Sequence, residues 1–370
     1  MNTTNRYRTI DGMRGIAALG VVVYHLSGNS GEELSKLLPE FINIIFSYGF
    51  LGVPVFFVIS GFVISLSIGN SCITPKYAGN FILRRIIRLD PTYWATIVFS
   101  ILLLYIQNYF LGTADPTPSP LNILAHMMYL QELLSIKPII SVVYWTLCLE
   151  VQLYLFYLLT SWLSQALSAK TGNKRHVIHM LLILSAGVYS TLVDRGFSSI
   201  SVPGLFISNW HYFLMGVLVS NAVRKMPYSF YIFAAWIIFE ITIQISVSVK
   251  AFGIAGILSS SLIFTLWRTD LLDTALTRIE LQYLGKISYT LYLLHPEVGW
   301  KTISLGKHVL HDYMTPVLAG IIFIMGIFVS ILFAHIFHIA LERPSLWLSS
   351  KLKKASLSTV YYDLISRNNK

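Results

Sequence analysis

Residues 11–25 read DGMRGIAALGVVVYH. The run is apolar at its centre, opens on Asp11 and Arg14, and closes on His25. Arg14 and His25 are eleven positions apart. At roughly 100° per residue a helix turns about three times plus 20° over that interval, so both side chains share one face. The axial separation is roughly 16 Å at about 1.5 Å per residue. Asp11 falls about 40° from the same line. A membrane helix with three ionisable groups in one stripe has to turn that stripe toward protein or water. The stretch therefore predicts a first spanning helix packed against partners, with a polar seam along one side.

The rest of the chain agrees with a membrane setting. Of 370 residues, 55% are hydrophobic and 12% charged, and the mean hydropathy is +0.65. Soluble domains carry about twice that charged fraction. An all-α polytopic membrane protein is expected, with about ten transmembrane helices near 11–28, 46–68, 91–111, 144–166, 177–193, 207–223, 228–247, 251–268, 284–303 and 316–341. Placing both termini in the cytoplasm puts only Lys36, Lys137, Arg195, Lys250, Lys301 and Lys307, of the 27 Lys and Arg, on the opposite face. That asymmetry obeys the positive-inside rule. It also accounts for the net charge of +10, so nucleic-acid binding is not expected. Arg14 and His25 interrupt the first apolar run and no A-x-A site follows, so a retained helix is expected rather than a cleaved signal. No disulfide is expected between Cys72, in a cytoplasmic loop, and Cys148, inside a helix. The loop 112–143 is Pro-rich at its start and then apolar over 121–134, which predicts a re-entrant or interfacial helix. Residues 1–345 are expected to form one integral membrane domain, and 346–370 a basic cytoplasmic tail.

Several side chains carry chemistry. His25 lies near the outer end of its span, as either a general base or a hydrogen-bonding partner of a neighbouring helix. Arg14 lies at the inner end, as an anion clamp or a snorkelling cation. In NFILRRIIRLDPTYW, Arg84, Arg85 and Arg88 precede the third span. Arg85 and Arg88 are three apart, hence neighbours on a helix, and paired guanidinium groups suit a phosphate-rich ligand. Glu150, in YWTLCLEVQLYLFY, sits about 9 Å into the fourth span with Tyr154 one turn on. Its depth matches that of His25, so Glu150 is expected to hold the imidazole. His295, ahead of Pro296, is a second candidate; Glu240, His211, His335 and His338 read as structural hydrogen-bonders. Ser60-Gly61, in FFVISGFVIS, reads as a close helix contact. No H-E-x-x-H, H-x-x-x-H, Walker or G-x-S-x-G pattern occurs, and no metal is expected.

Taken in order, these blocks resemble the membrane-bound acyltransferase-3 family. DGMRGIAALGVVVYH is similar to its D-G-x-R-G opening with Arg-x10-His spacing. GFLGVPVFFVISGF, the R-x-x-R of Arg85 and Arg88, YWTLCLEVQLYLFY, GKISYTLYLLHP and LERP follow in family order over residues 11–344. Leu153 stands where Phe is usual.

The resemblance implies a bacterial inner-membrane enzyme. It would move an acyl group, most often acetyl, from cytoplasmic acyl-CoA to a hydroxyl of an extracytoplasmic glycan: O-antigen, capsule, exopolysaccharide or a lipid-linked precursor. Acetyl-CoA is then a co-substrate, and no tightly bound cofactor is expected. Arg14, Arg85 and Arg88 would hold the CoA phosphates, Asp11 would hold Arg14, and His25 with Glu150 would run the transfer, directly or through an acyl-histidine. The rival is a proton-coupled carrier of a small or lipid-linked glycan; the absence of a two-fold hydropathy repeat counts against it.

Overall fold

The computed structural model describes residues 7–352 except 113, 173, 174, 198–201 and 203. The described residues hold α-helices, short 3-10 and π turns, and connecting loops. The first helix, α1 (Arg8–Ser30), leads into two short ones, α2 (Glu32–Leu37) and α3 (Glu40–Ser47), and then α4 (Gly52–Ile68). The 37-residue α5 (Pro75–Leu111) follows, then α6 (Pro120–Met127), α7 (Trp145–Thr171) and α8 (Arg175–Asp194). The second half is α9 (Trp210–Val223), α10 (Ser229–Ser246), α11 (Ala251–Arg268), α12 (Ile279–His295), α13 (Lys301–Val309) and α14 (Pro316–Phe337).

Seven helical stretches among the described residues are long and apolar enough to cross a membrane: α3 with α4, α5, α7, α8, α10, α11, and α14 with its extension to Leu352. The other three expected spans fall on α1, α9 and α12. These three differ for a physical reason. The helix α9 is only 14 residues long, and every residue from Trp210 to Ala222 is buried, so it faces protein on all sides. The helices α1 and α12 pack along each other, and α1 keeps Arg14 and His25 within its length.

Close packing rests on glycines. The helices α4 and α9 cross where a Cβ at Gly61 would run into the carbonyl of Phe213, and a Cβ at Gly216 into that of Val58. Likewise α1 meets α12 through Gly15 and Gly285, the latter against the Asp11 carbonyl, and meets the start of α4 through Gly52 against the Ala17 carbonyl. Such contacts give the close van der Waals packing that drives helix association where lipid removes the hydrophobic drive. The Ser60-Gly61 reading thus holds for Gly61. Gly61→Leu is expected to separate α4 from α9 at a cost of at least about 1–3 kcal/mol, seen as a lower melting temperature and less folded protein in detergent extracts.

The structure corrects several expected boundaries. Residues 75–90 are not a segment ahead of the third span but the first turns of α5, which continues through Pro91. Thr74 caps it by accepting from the Tyr77 N–H, with Pro75 at the first helical position, a start signal legible in T-P-K-Y. The 121–134 helix ends early, at Met127; Tyr129 turns the chain at φ 58°. Pro296 leaves its helix unbroken, as the expected span 284–303 requires. It opens a π turn, Pro296–Trp300, that runs on into α13, a widening that absorbs the missing N–H. Helix continues past residue 345 to Leu352, with Lys351 Nζ 3.8 Å from the Trp347 ring centre; the tail beyond lies outside the described residues. Cys72 is exposed and Cys148 buried, both unpaired.

Candidate active site

The stripe of α1 faces protein at both ends. Near its start Arg14 lines a cavity of about 830 Å³, open mouth included. From α5 come Arg85 and Arg88, three apart as the helical period requires, while Arg84 is not among the lining residues. Glu150 and Tyr154, from α7, complete the polar wall, with Ser60 of α4 and Tyr289 and Tyr292 of α12. Tyr154 lies under Arg85, its ring centre 4.8 Å from the guanidinium carbon, and Phe81 adds a second face at 5.6 Å. These stacks hold a guanidinium by its flat side and leave its N–H edge to bind. The Arg14 Nε is buried without a hydrogen-bond partner. Three cations thus face one carboxylate across a shaped cavity, an arrangement that favours a polyanion.

Eleven residues further along α1, His25 lines a second pocket with Tyr24, Gly28, Asn29 and Trp300, about 510 Å³ with its open side. The Trp300 Nε1–H donates to the His25 carbonyl at 2.9 Å, and Asn29 donates to the Trp300 carbonyl at 3.3 Å. The indole and imidazole rings meet edge to face at 5.8 Å. Aromatic contacts link the two linings. Tyr292 lines the Arg cavity, touches Phe56 ring to ring at 5.7 Å and His295 at 5.9 Å, and accepts from Thr146 Oγ1 at 2.9 Å.

The pairing expected between His25 and Glu150 is not the one present. Glu150 accepts from Ser60 Oγ at 2.7 Å inside the Arg cavity, while His25 Nδ1 lies 3.1 Å from His295 Nε2. The depth argument failed because α7 does not start at a surface. The segment before it folds inward: Ile140, Val143 and Tyr144 are buried, and Gln131 donates to the Tyr144 carbonyl. Counting turns from Trp145 therefore starts already inside the protein. Asp11 is buried where α1 meets Gly285. His211, Glu240, His335 and His338 bond Ser190, Thr191, Tyr283 and Glu342 respectively, within the helix packing.

Sequence reasoning missed Ser60 as a partner of Glu150, and Tyr292 and Trp300 altogether. The last two stand three residues before and five after His295, so the block around L-L-H-P held the signal.

A helical membrane protein with a guanidinium-lined cavity and an imidazole pocket along one helix has parts that suit group transfer, and sequence comparison names the group. Residues 7–335 match the acyltransferase domain family, so the chain belongs to it and is a multi-pass membrane acyltransferase. It is similar to a protein of Acidianus two-tailed virus named as an acetyltransferase, 30% identical over 183 residues, covering 49% of this chain and 47% of that one. It is also similar to a protein of Bacillus subtilis (strain 168) named as a peptidoglycan O-acetyltransferase, 25% identical over 214 residues, 50% of this chain and 28% of the other. The chain therefore matches less than half the length of each relative. No solved structure matches.

Proposed function

We propose that this acyltransferase O-acylates a glycan across the bacterial inner membrane, taking an acyl group, acetyl by preference, from cytoplasmic acyl-CoA. The observation that carries the reading is the placement of two sites on one helix: Arg14, Arg85 and Arg88 around a cavity at one end of α1, and His25 in a separate pocket at the other. In this reading both termini and the Arg cavity face the cytoplasm. The nucleotide phosphates sit against the guanidinium groups, and the pantetheine arm spans the roughly 16 Å of helix between Arg14 and His25. The arm must pass Phe56 and Tyr292.

The chemistry is conserved in atoms and charge. His25 takes the proton of the acceptor hydroxyl; the oxygen attacks the thioester carbonyl; the C–S bond breaks; the imidazolium returns the proton to the CoA thiolate. A two-step route through an acyl-imidazole has the same balance. Glu150 tunes the Arg cavity rather than His25. Nothing in the route calls for a tightly bound cofactor. Acceptors compatible with an open pocket of aromatic and amide groups are O-antigen, capsule, exopolysaccharide or lipid-linked sugars; the Bacillus relative adds peptidoglycan.

Purified protein in proteoliposomes is expected to release CoA from acetyl-CoA, and a deletion strain to lose one O-acyl signal from the NMR spectrum of its surface glycan. Substrate counterflow without CoA release would support the carrier instead. Sidedness has its own test. A membrane-impermeant maleimide is expected to label exposed Cys72 in inverted vesicles and not in intact cells, with buried Cys148 silent in both. Labelling of Cys72 from outside would reverse the orientation.

A further inference from the structure

We infer that His295 is a positioning residue that holds His25 as the Nδ1–H tautomer and so leaves Nε2 as the reacting nitrogen. The inference rests on the acyl-transfer reading of His25 and extends it. The hydrogen positions follow from the partners. His295 Nδ1 lies 2.9 Å from the Tyr292 carbonyl and 3.2 Å from that of Leu291. Carbonyls only accept, so Nδ1 of His295 carries the hydrogen. The sequence explains why it is welcome there. In a regular helix the N–H of residue 296 would bond the Tyr292 carbonyl; residue 296 is proline and has none, so the imidazole N–H takes that place.

Neutral His295 then has a bare Nε2, which can only accept. The group facing it, at 3.1 Å, is Nδ1 of His25. A second constraint points the same way: His25 Nδ1 also lies 3.0 Å from the Val21 carbonyl. Nδ1 of His25 is therefore the donor, shared between a ring nitrogen and a carbonyl. The Val21 carbonyl also serves the helix ladder of α1, and its second lone pair accepts from the same Nδ1–H that the His295 nitrogen accepts from. Nε2 of His25 is left as the free lone pair of a ring that lines the outer pocket. When it takes a proton, the Nδ1–H bond becomes charge-assisted and steadies the cation. The chain of dependence runs from Pro296 to Tyr292, His295 and His25.

The test is the tautomer itself. Protein labelled with ¹⁵N-histidine in detergent, with His25→Ala to assign the signal, is expected to show a pyrrole-type Nδ1 and a pyridine-type Nε2 at His25. His295→Leu is expected to mix that pattern, since only the Val21 carbonyl then holds Nδ1–H, and to lower kcat by about 10- to 100-fold, by analogy with metal-bound histidines that lose the partner of their second nitrogen. The KM for acetyl-CoA should hold. His295→Gln, whose amide oxygen can accept in place of Nε2, should recover most of the rate. A wild-type His25 in the Nε2–H form, or an unchanged kcat in folded His295→Leu, would overturn the positioning role. The wild-type spectrum alone decides if the leucine variant does not accumulate. Full transfer by His25→Ala would instead overturn the reading beneath it.

Discussion

Alanine at His25 is expected to lower acyl transfer by about 10²- to 10⁴-fold, the contribution of a positioned general base. The loss should fall on kcat, because His25 lines a pocket that shares no wall residue with the Arg cavity. Donor binding, followed as protection of the protein against thermal unfolding by acetyl-CoA, should persist. The side chain makes few supporting contacts: one bond to His295, one to Val21, and ring contacts to Tyr24, His295 and Trp300. The bond from Trp300 goes to the backbone carbonyl and survives substitution. Expression at near wild-type level is therefore expected, and the kinetic loss is readable as chemistry. If the transfer passes through an acyl-histidine, labelled acyl should be trapped on His25 when acyl-CoA is given without acceptor; direct transfer leaves the residue unlabelled.

The second large effect belongs to Arg85 and Arg88. Each charge-assisted hydrogen bond to a phosphate is worth about 1.5–3 kcal/mol, so Arg85→Ala or Arg88→Ala should raise the KM for acetyl-CoA by about 10- to 150-fold. Kcat at saturating donor should change far less, the reverse of the pattern for His25. Arg85→Lys should recover little, because a lysine cannot stack flat on Tyr154 and present two N–H groups at once. Removing both arginines should leave binding below detection, and added salt should weaken wild-type binding in proportion to the ion pairs formed. Arg84→Ala is the control on the same helix: it lies outside the cavity, and its carbonyl, kept in the variant, accepts from Ser349.

How much of this was legible in the sequence depends on distance along the chain. Helical period placed Arg14 and His25 on a protein-facing stripe, and put Arg85 beside Arg88, because both relations lie within one helix. The T-P start of α5 was also in plain sight, yet the apolar run after Pro91 drew the boundary there. The all-round burial of α9 was invisible to hydropathy, since a helix enclosed by protein and one facing lipid are equally apolar. The short α2 and α3 carried too little periodicity to separate from loop.

Relations between helices were not legible. Glu150 and His25 were matched by depth, a quantity that assumes each helix begins at a surface. The inward fold of 131–144 breaks that assumption, and the carboxylate meets Ser60 while the imidazole meets His295. Tyr292 and Trp300 gained their roles only when α12 came to lie along α1. Gly285 was readable as small, but what it lets in, the backbone of Asp11, is a fact of the fold.

In the proposed function an acyl group enters at the guanidinium cavity and leaves at His25 on the other side of the membrane. The most direct measurement uses sealed inverted vesicles given acyl-labelled acetyl-CoA outside. Label is expected on glycan inside the vesicles and CoA outside in equal amount, both lost in His25→Ala. Label reaching the glycan at the wild-type rate in His25→Ala vesicles, or glycan movement with no CoA released, would contradict it.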